Sequence, residues 1–225
     1  VTPENFAQFG QELQLTERYP DVLALGYNAW LPAGQESTLE TLVSSFGLQG
    51  YRVRPETTAQ AMRAPIVLIA PQDAVNVAAQ GYDMYVEAAR RDAFDRARKE
   101  GTYQVSRPVQ LVQRDAQGQP YTGFLVMLPV WRGGESEVNA QPNILTGYLY
   151  LAVRADRFLA SLQSAYKLQG ISSTVRLGGQ TLIKGTDGRH TEFRQADTLQ
   201  LLGAIERIER VVGLGVQETS RETNL

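Results

Sequence analysis

The residues of this chain that could carry out chemistry are few, and the first to consider is its one histidine. His190 lies in the turn-rich sequence GTDGRH, beside Arg189 and Thr191. A Ser-His-Asp site would depend on this single exposed position, and general-base catalysis also needs a partner within hydrogen-bonding distance. The chain has no HExxH, GxSxG, P-loop or GxGxxG motif and no cysteine. The sequence therefore predicts no catalytic residue, no metal site, no cofactor and no enzyme activity.

Asp73 is the residue with the strongest case for a binding role. It follows the apolar stretch PIVLIA (Pro65 to Ala70), which predicts a buried strand, and the pair Pro71-Gln72. A carboxylate at the end of a buried strand can accept hydrogen bonds from ligand N–H groups, and such a charge-assisted bond contributes about 1.5 to 3 kcal/mol when it is shielded from water. The alternative is that Asp73 caps the segment after it as an Asx turn, a common role of aspartate.

Two arginines and a set of apolar residues each have two interpretations. Arg63 and Arg107 could neutralise an anionic ligand, or they could be surface residues or ion-pair partners. The apolar candidates could line a cavity, or they could simply pack in the core. They are Tyr82, Met84, Leu111, Phe124, Val126 and Leu128.

The composition excludes several classes of protein. A chain of 225 residues with 43% hydrophobic content can bury a core, as one large domain or two smaller ones. Its 22 basic and 24 acidic residues give a net charge of -2 and form no basic run, so we expect no nucleic-acid partner. No apolar run approaches the roughly 20 residues that cross a bilayer. Because the chain also starts at Val1 instead of methionine, we expect a soluble piece of a longer protein.

Hydrophobic spacing predicts the elements that would position these residues. A first helix is expected from the cap Thr2 to Pro20, and a long one from the cap Asp83 to Gly101, with a stripe of mostly small residues that can lie close to a sheet. Further elements are a strand at Val22 to Tyr27, a helix at Glu36 to Phe46, a half-exposed strand at Tyr51 to Val53 and the buried strand at Pro65 to Ala70.

Three strands in succession predict an antiparallel meander. They are Pro108 to Gln113, Tyr121 to Trp131 and Ile144 to Val153, with a hairpin between the first two and a polar loop at Gly133 to Asn143. The second of these strands is apolar on both sides, which predicts a central position. Phe124, Val126, Leu128 and Val130 share one side, and Leu125, Met127 and Pro129 share the other.

The character of the sequence changes near Val153, where we place a subdomain boundary. A connecting helix is predicted at Asp156 to Tyr166. Short strands follow at Ser173 to Leu177, at Gln180 to Lys184 and from Thr191 onward. The segment Leu199 to Val216 is compatible with a helix or a strand, and strand is favoured for its second half.

Seven segments occur in an order that resembles a known family. They are RYPDVLALGYNAWLP (18–32), GLQGYRVRPE (47–56), MRAPIVLIAPQD (62–73), GYD (81–83), the alanine-rich helix to Gly101, RPVQLV (107–112) and FLVMLPVW (124–131). In this order they resemble the CHASE domain, the extracytoplasmic sensor module of bacterial receptor histidine kinases and diguanylate cyclases and of plant cytokinin receptors. The similarity extends over about residues 18–153 and weakens beyond them.

The resemblance implies an α+β fold with two PAS-like antiparallel-sheet subdomains. An N-terminal stalk helix would occupy residues 1–20 and a membrane-distal, ligand-binding PAS-like subdomain residues 21–153. A connecting helix and a smaller membrane-proximal PAS-like subdomain would occupy residues 154–217, followed by a tail at 218–225. The resemblance also implies a homodimer on the extracytoplasmic side, anchored by flanking transmembrane helices of a longer protein.

The resemblance also implies a ligand contact. In the plant receptors an aspartate after the corresponding strand contacts the adenine ring of the hormone, and by position this aspartate is Asp73. The flanking residues differ, so the expected ligand is a small organic molecule, adenine-like or otherwise. The alternative function is a ligand-free dimerisation or spacer module of a receptor. The predicted ligand-binding residues are Asp73, Tyr82, Met84, Arg107, Leu111, Phe124, Val126 and Leu128.

Overall fold

The computed structural model describes residues 2–132, 144–165, 172–177, 180–184 and 190–193. Within these residues the chain is an α+β protein with a main antiparallel sheet. The helices are α1 (Pro3–Glu12), α2 (Leu15–Arg18), α3 (Glu36–Ser45), α4 (Ala74–Val77), α5 (Ala88–Glu100) and α6 (Ala155–Ala165). The strands are β1 (Val22–Ala29), β2 (Leu31–Pro32), β3 (Met62–Arg63), β4 (Ile66–Ala70), β5 (Gln104–Val105), β6 (Val109–Arg114), β7 (Pro120–Arg132), β8 (Ile144–Arg154), β9 (Ser172–Leu177), β10 (Gln180–Lys184) and β11 (His190–Phe193).

The main sheet has the strand order β4-β1-β8-β7, and both β5 and β6 pair with the free side of β7. Its longest ladder joins β7 to β8, from Gly123 opposite Arg154 to Arg132 opposite Ile144. Strand β1 lies between β4 and β8, so the strand that follows the N-terminal helices is internal. Two smaller sheets pair β2 with β3, and β9 with both β10 and β11, the last in parallel.

The main sheet is buried on both faces, and different helices cover each face. Side chains alternate along β7, as the sequence predicts for a central strand. Helices α1 and α6 pack on one side, which we call the α1/α6 face, and α5 packs on the other, the α5 face. The α1/α6 face includes Phe6, Leu25, Leu68, Phe124, Val126, Leu149, Leu151, Phe158 and Leu162. The α5 face includes Ala24, Ala64, Ile66, Ala79, Met84, Ala93, Phe94, Leu111, Leu125, Met127, Tyr148 and Tyr150.

The N-terminal helix is capped as predicted but is shorter than predicted. Thr2 precedes α1, and its hydroxyl oxygen accepts a hydrogen bond from the Asn5 amide at 3.3 Å. The prediction of one helix as far as Pro20 is wrong, because Gln14 has a left-handed backbone (φ 50°) that separates α1 from α2. Leu15, directly after this break, is buried in the same core cluster as the residues of α1.

The long helix ends where the sequence predicts but begins later. Gly101 follows α5 with φ 69°, the left-handed conformation in which glycine is favoured. Asp83, the predicted cap of this helix, instead caps a 3₁₀ turn at Met84–Val86, and the α-helix starts at Ala88. A capping carboxylate satisfies the amides of the next turn whether or not that turn continues as an α-helix.

The strand predicted at Tyr51 to Val53 is absent. Both residues are buried, in a small cluster with Val43 of α3, but their polar groups have other partners. The Tyr51 hydroxyl donates to the Ile66 carbonyl at 3.0 Å, and the Val53 amide donates to a carboxylate oxygen of Glu40 at 2.9 Å. The alternating pattern therefore marks a buried extended segment that makes no ladder.

The remaining predicted strands are confirmed to within about two residues, as β1, β4 and β6 to β11. The helix predicted at Glu36 to Phe46 and the connecting helix are confirmed as α3 and α6. The hairpin between β6 and β7 has Gly118 at φ 77°, and the Asp115 carboxylate accepts from the amides of Gln117 and Gln119. His190 is the first residue of β11. The predicted loop at 133–143 and the segment at 199–216 lie outside the described residues.

Candidate functional site

Asp73 is the N-cap of α4. One of its carboxylate oxygens accepts a hydrogen bond from the backbone amide of Asn76 at 2.8 Å, and the other lies 3.3 Å from the side-chain amide nitrogen of the same residue. The capping alternative is therefore confirmed. The Asp73 side chain is nevertheless exposed, so its carboxylate has room for further acceptor contacts.

Asn76 ties the Asp73 turn to two strands of the main sheet. Its side chain is fully buried and donates to the carbonyls of Leu23 in β1 and Pro71 after β4. Its side-chain oxygen accepts a hydrogen bond from the buried Gln113 of β6 at 3.0 Å. A polar bridge thus runs from the end of β4 to β6 at the edge of the α5 face, with Asp73 on its outer side.

Three of the predicted site residues belong to the α5 face. Met84 and Leu111 are almost fully buried there, and Tyr82 packs against the border of the same cluster. The guanidinium of the buried Arg90 lies 5.2 Å from the centre of the Tyr82 ring, within range of a cation–π contact. Burial raises the pKa of the Tyr82 hydroxyl, so it stays protonated at neutral pH.

An aromatic cluster fills another part of the α5 face. Phe94 and Tyr148 form a T-shaped pair with ring centres 4.6 Å apart, and Trp30 forms similar pairs with Tyr148 and Tyr85. The Tyr85 hydroxyl donates to Asp95 at 2.7 Å, and burial together with this carboxylate raises the pKa of Tyr85 to about 12. These rings pack against one another and fill this part of the α5 face.

The other three apolar candidates lie across the sheet from this group. Phe124, Val126 and Leu128 pack on the α1/α6 face, and the Phe124 ring lies 5.2 Å from that of Phe158 in α6. The alternation along β7 predicts that these three share a side. The alternation does not show which helix covers that side. In the structure the predicted site residues are divided between the two faces of the sheet.

Arg107 joins neither group. It lies between β5 and β6, partly buried, and its Nε atom has no hydrogen-bond partner among the described residues. The neighbouring Ser106 fixes this corner, because its hydroxyl donates to the Arg107 carbonyl at 2.7 Å and accepts from the Leu125 amide at 3.0 Å.

Comparison with protein families assigns the chain to a family. The family model of the CHASE domain matches residues 1–193, most of the chain. The chain belongs to the CHASE domain family. CHASE domains are extracellular sensory domains of signalling receptors, and their role is sensory instead of catalytic. A comparison with characterised proteins found no match.

Two further observations concern the described part of this CHASE domain. None of its described helices is long and apolar enough to cross a bilayer. Its described residues also contain no group of three or more histidine, aspartate or glutamate side chains placed to hold a metal ion.

Arg63 of this CHASE domain is a residue for which the sequence left alternatives open. Its side chain is fully buried, and its ion-pair alternative is confirmed. Nε donates to Asp83 at 2.8 Å, Nη1 donates to Glu36 at 2.7 Å, and two further bonds reach the carbonyls of Pro55 and Glu56. These bonds use four of the five N–H donors of a guanidinium, and two carboxylates already neutralise its charge, so Arg63 is a structural ion-pair residue.

Asp83, the ion-pair partner of Arg63, joins its own 3₁₀ turn to the segment Arg63–Ala64. Asp83 is fully buried, and one of its oxygens accepts from the amides of Ala64 at 2.8 Å and Tyr85 at 3.0 Å. Burial of Glu36 works against its charge, but the hydrogen bond and attraction of Arg63, together with backbone hydrogen bonds, outweigh it and hold the pKa of Glu36 below its ordinary value. The sequence carries no signal for this network, because Arg63 and Asp83 are separated by 20 residues.

Proposed function

We propose that this chain is the ligand-sensing region of a membrane-bound receptor of the histidine kinase or diguanylate cyclase type. In this proposal residues 21–153 form a membrane-distal PAS-like subdomain that binds a small molecule, and residues 1–20 belong to a stalk. Residues 154–217 form the connecting helix and a membrane-proximal PAS-like subdomain, and residues 218–225 a tail. The receptor is a homodimer, anchored in the membrane by parts of the protein that flank this region.

The observation that carries this proposal is the position of β4. Its C-terminal end leads through Pro71 into the Asp73 turn, at the edge of the α5 face. Its last residue, Ala70, belongs to the core of the α1/α6 face and packs against α1. One short strand therefore contacts both the candidate ligand-binding turn and the N-terminal helix, which is the connection that a sensor needs.

The predicted site residues take different roles in this proposal. Tyr82, Met84 and Leu111 contact the ligand on the α5 face, and Asp73 contacts it from the rim while it also caps α4. Arg107 borders the same face at the β5–β6 corner. The remaining three, Phe124, Val126 and Leu128, act across the sheet by packing against α1 and α6.

Signalling by such a domain needs two states with different ligand affinity. A ligand that bridges the Asp73 turn to β6 favours the state in which the Asn76–Gln113 bridge is closed. Because β4 also packs on α1, that state has its own position of α1 relative to the sheet. A coupling free energy of about 1 to 3 kcal/mol between the two positions is enough for a signal.

The alternative is a ligand-free dimerisation or spacer module. The aromatic cluster of Trp30, Tyr85, Phe94 and Tyr148 favours it, because large rings fill part of the α5 face. On this alternative the whole face would be packed by side chains, and no small molecule would stabilise the protein.

The two functions are separated by ligand screening combined with two variants of Asp73. Protein purified from cells is denatured, and the released small molecules are identified by mass spectrometry. The protein is also screened by thermal shift against adenine derivatives, amino acids and small carboxylates. A sensor is expected to release or bind at least one of them, whereas a spacer module binds none.

The variants test the rim contact. Asp73→Asn keeps a good N-cap, so we expect unchanged stability and about tenfold weaker ligand binding, since a charge-assisted hydrogen bond is lost. Asp73→Ala is expected to lose both the cap and the contact. Asp92→Asn, on the outer side of α5, is the matched control and should change neither. Unaltered affinity in Asp73→Asn would remove Asp73 from the site.

A further inference from the structure

Three buried polar atoms on the α5 face lack hydrogen-bond partners among the described residues. One is Nε of Arg90, which lies 2.7 Å from a carboxylate oxygen of Glu87 and so has an ion-pair partner. The other two are the hydroxyl oxygen of Tyr150 and the side-chain oxygen Oδ1 of Asn28. Tyr150 is 1% exposed and Asn28 is 0% exposed, so neither atom is satisfied by bulk water. Buried polar groups are nearly always paired, and each exception calls for a physical explanation.

The orientation of the Asn28 amide is fixed by its other end. Nδ2 donates to the Ala64 carbonyl at 2.8 Å, which requires the nitrogen on that side. Oδ1 therefore points elsewhere as an acceptor. A group that satisfies Asn28 must bring an N–H or O–H donor.

The two atoms lie over neighbouring positions on the same side of β1, Asn28 in β1 itself and Tyr150 in the adjacent strand β8. Asn28 is paired with Tyr148, which lies on the α5 face, and Gly26 is paired with Tyr150. The Tyr150 ring lies over Gly26, because a Cβ atom placed on Gly26 would be 2.5 Å from the Tyr150 hydroxyl. The hydroxyl is thus held above β1, two residues from Asn28, a spacing of roughly 6 to 7 Å along a strand.

The α5 face contains several small side chains, and its buried charges are already paired. Six buried alanines belong to this face, at positions Ala24, Ala64, Ala79, Ala93, Ala97 and Ala152. Arg63 is paired with Asp83 and Glu36, and Arg90 with Glu87 at 2.7 Å. Apart from Asp73 and Arg107 at its rim, a charged ligand would therefore meet no free counter-charge among the described residues of this face and would lose its hydration without compensation.

We propose that Asn28 and Tyr150 form a recognition pair for an uncharged small molecule that carries a hydrogen-bond donor close to an acceptor. The primary amide of an aromatic acid is such a molecule. Asn28 accepts from the donor and the Tyr150 hydroxyl donates to the acceptor. This inference rests on the proposed sensory function and defines the ligand class of the α5 face more narrowly.

The protonation state of the tyrosine suits this role. Burial raises the pKa of Tyr150, and the opposing influence of Arg90 is smaller, so the hydroxyl keeps its proton at neutral pH. Asn28 is the less useful residue to vary, because its amide also makes the bond to Ala64. Tyr150 carries the test, since Tyr150→Phe removes only the hydroxyl.

The experiment combines folding stability with calorimetric binding of two matched pairs of probes. The pairs are nicotinamide with nicotinate, and benzamide with benzoate, each an amide beside its charged isostere. We expect the wild-type protein to bind at least one amide and to bind it at least tenfold more tightly than the acid. Tyr150→Phe should fold with unchanged or higher stability, because an unpaired buried hydroxyl stabilises nothing, and should bind the amide at least tenfold more weakly.

The control is Tyr148→Phe, on the same strand and the same face. The Tyr148 hydroxyl donates to the Phe94 carbonyl at 3.3 Å, so this variant is expected to lose stability and to keep its affinity for the amide. A clear loss of stability in Tyr150→Phe would show that its hydroxyl has a structural partner, and would overturn the inference.

The remaining outcomes distinguish this inference from the proposed function. If no amide binds, or if acids bind as tightly as amides, the recognition pair is wrong. A ligand released from the purified protein would then still support the sensory function. If the protein neither releases a ligand nor binds any compound of the broader screen, both proposals fail.

Discussion

Gly10 of α1 lies directly against Ala70, the last residue of β4. A Cβ atom on Gly10 would come within 2.5 Å of the Ala70 Cβ atom, closer than side chains can pack. Ala70 is fully buried and stands three residues before Asp73. The contact therefore joins the N-terminal helix to the strand that leads into the candidate ligand-binding turn.

Replacement of Gly10 by alanine tests how closely α1 packs on β4. Helix propensity alone favours alanine over glycine by about 0.5 to 1 kcal/mol, whereas overpacking a buried contact costs about 1 to 3 kcal/mol. We expect the second effect to dominate, with a net loss of about 1 kcal/mol of unfolding free energy in urea denaturation. Gln11→Ala, at the neighbouring exposed position, should change stability by no more than about 0.5 kcal/mol. A more stable Gly10→Ala protein would show that this contact is not tight.

Two valines provide a matched test of which face binds a ligand. Val109 lies on the α5 face and Val126 on the α1/α6 face, and they are 4% and 3% exposed. Substitution of either by alanine should cost about 2 kcal/mol of stability, because both are buried. Calorimetry with a ligand found in the screen should show weaker binding only for Val109→Ala. Equal losses of affinity in the two variants would contradict the assignment of the ligand to the α5 face.

Removal of the Asp83 carboxylate tests the buried network around Arg63. Asp83→Ala removes one of the two carboxylates paired with the buried Arg63 guanidinium and leaves two amides unpaired, so we expect a loss of about 3 to 5 kcal/mol of stability in chemical denaturation. The control is Asp92→Ala, whose partner Arg96 is partly exposed, and its effect should be about 0.5 kcal/mol or less. A small effect at Asp83 would mean that Arg63 finds other partners.

The network also predicts a dependence of stability on pH. The pKa of Glu36 is lowered in the folded state, because Arg63 and backbone hydrogen bonds together outweigh the effect of burial. A lowered pKa stabilises the fold at pH values above the ordinary pKa of glutamate, and this contribution is lost as the pH falls through the folded-state pKa. The difference in unfolding free energy between wild type and Glu36→Gln should therefore be largest near neutral pH and shrink toward about pH 3. A constant difference over that range would contradict the assignment.

The sequence predicts most strands and helices because their signals are local. The apolar run ending at Ala70, the two-sided β7 and the glycine that ends α5 each identify an element without reference to the rest of the chain. The capping of α4 by Asp73 is also local, since the carboxylate and the amide of Asn76 are three residues apart. Asp83 shows the limit of such a signal, because its side chain caps a 3₁₀ turn and leaves the start of α5 undefined.

The candidate site is predicted less well because it depends on contacts between distant residues. Alternation places Phe124 and Val126 on one side of β7, but only the packing of α1 and α6 decides that this side is away from α5. Arg63 and Arg107 have the same local character, and only the arrangement of Asp83 and Glu36 makes one of them a fully paired core residue. The unpaired atoms of Asn28 and Tyr150 have no signature in the sequence.

Strand β7 is buried on both faces, which has a mechanical consequence. Leu125 and Val126 are neighbours in the chain, yet one packs beneath α5 and the other beneath the helices across the sheet. Protein interiors have low compressibility, so a volume added on one face displaces the backbone instead of being absorbed by voids. A molecule inserted beneath α5 would therefore act through the thickness of a single strand. It would displace both helices that pack on the opposite face, α1 and α6.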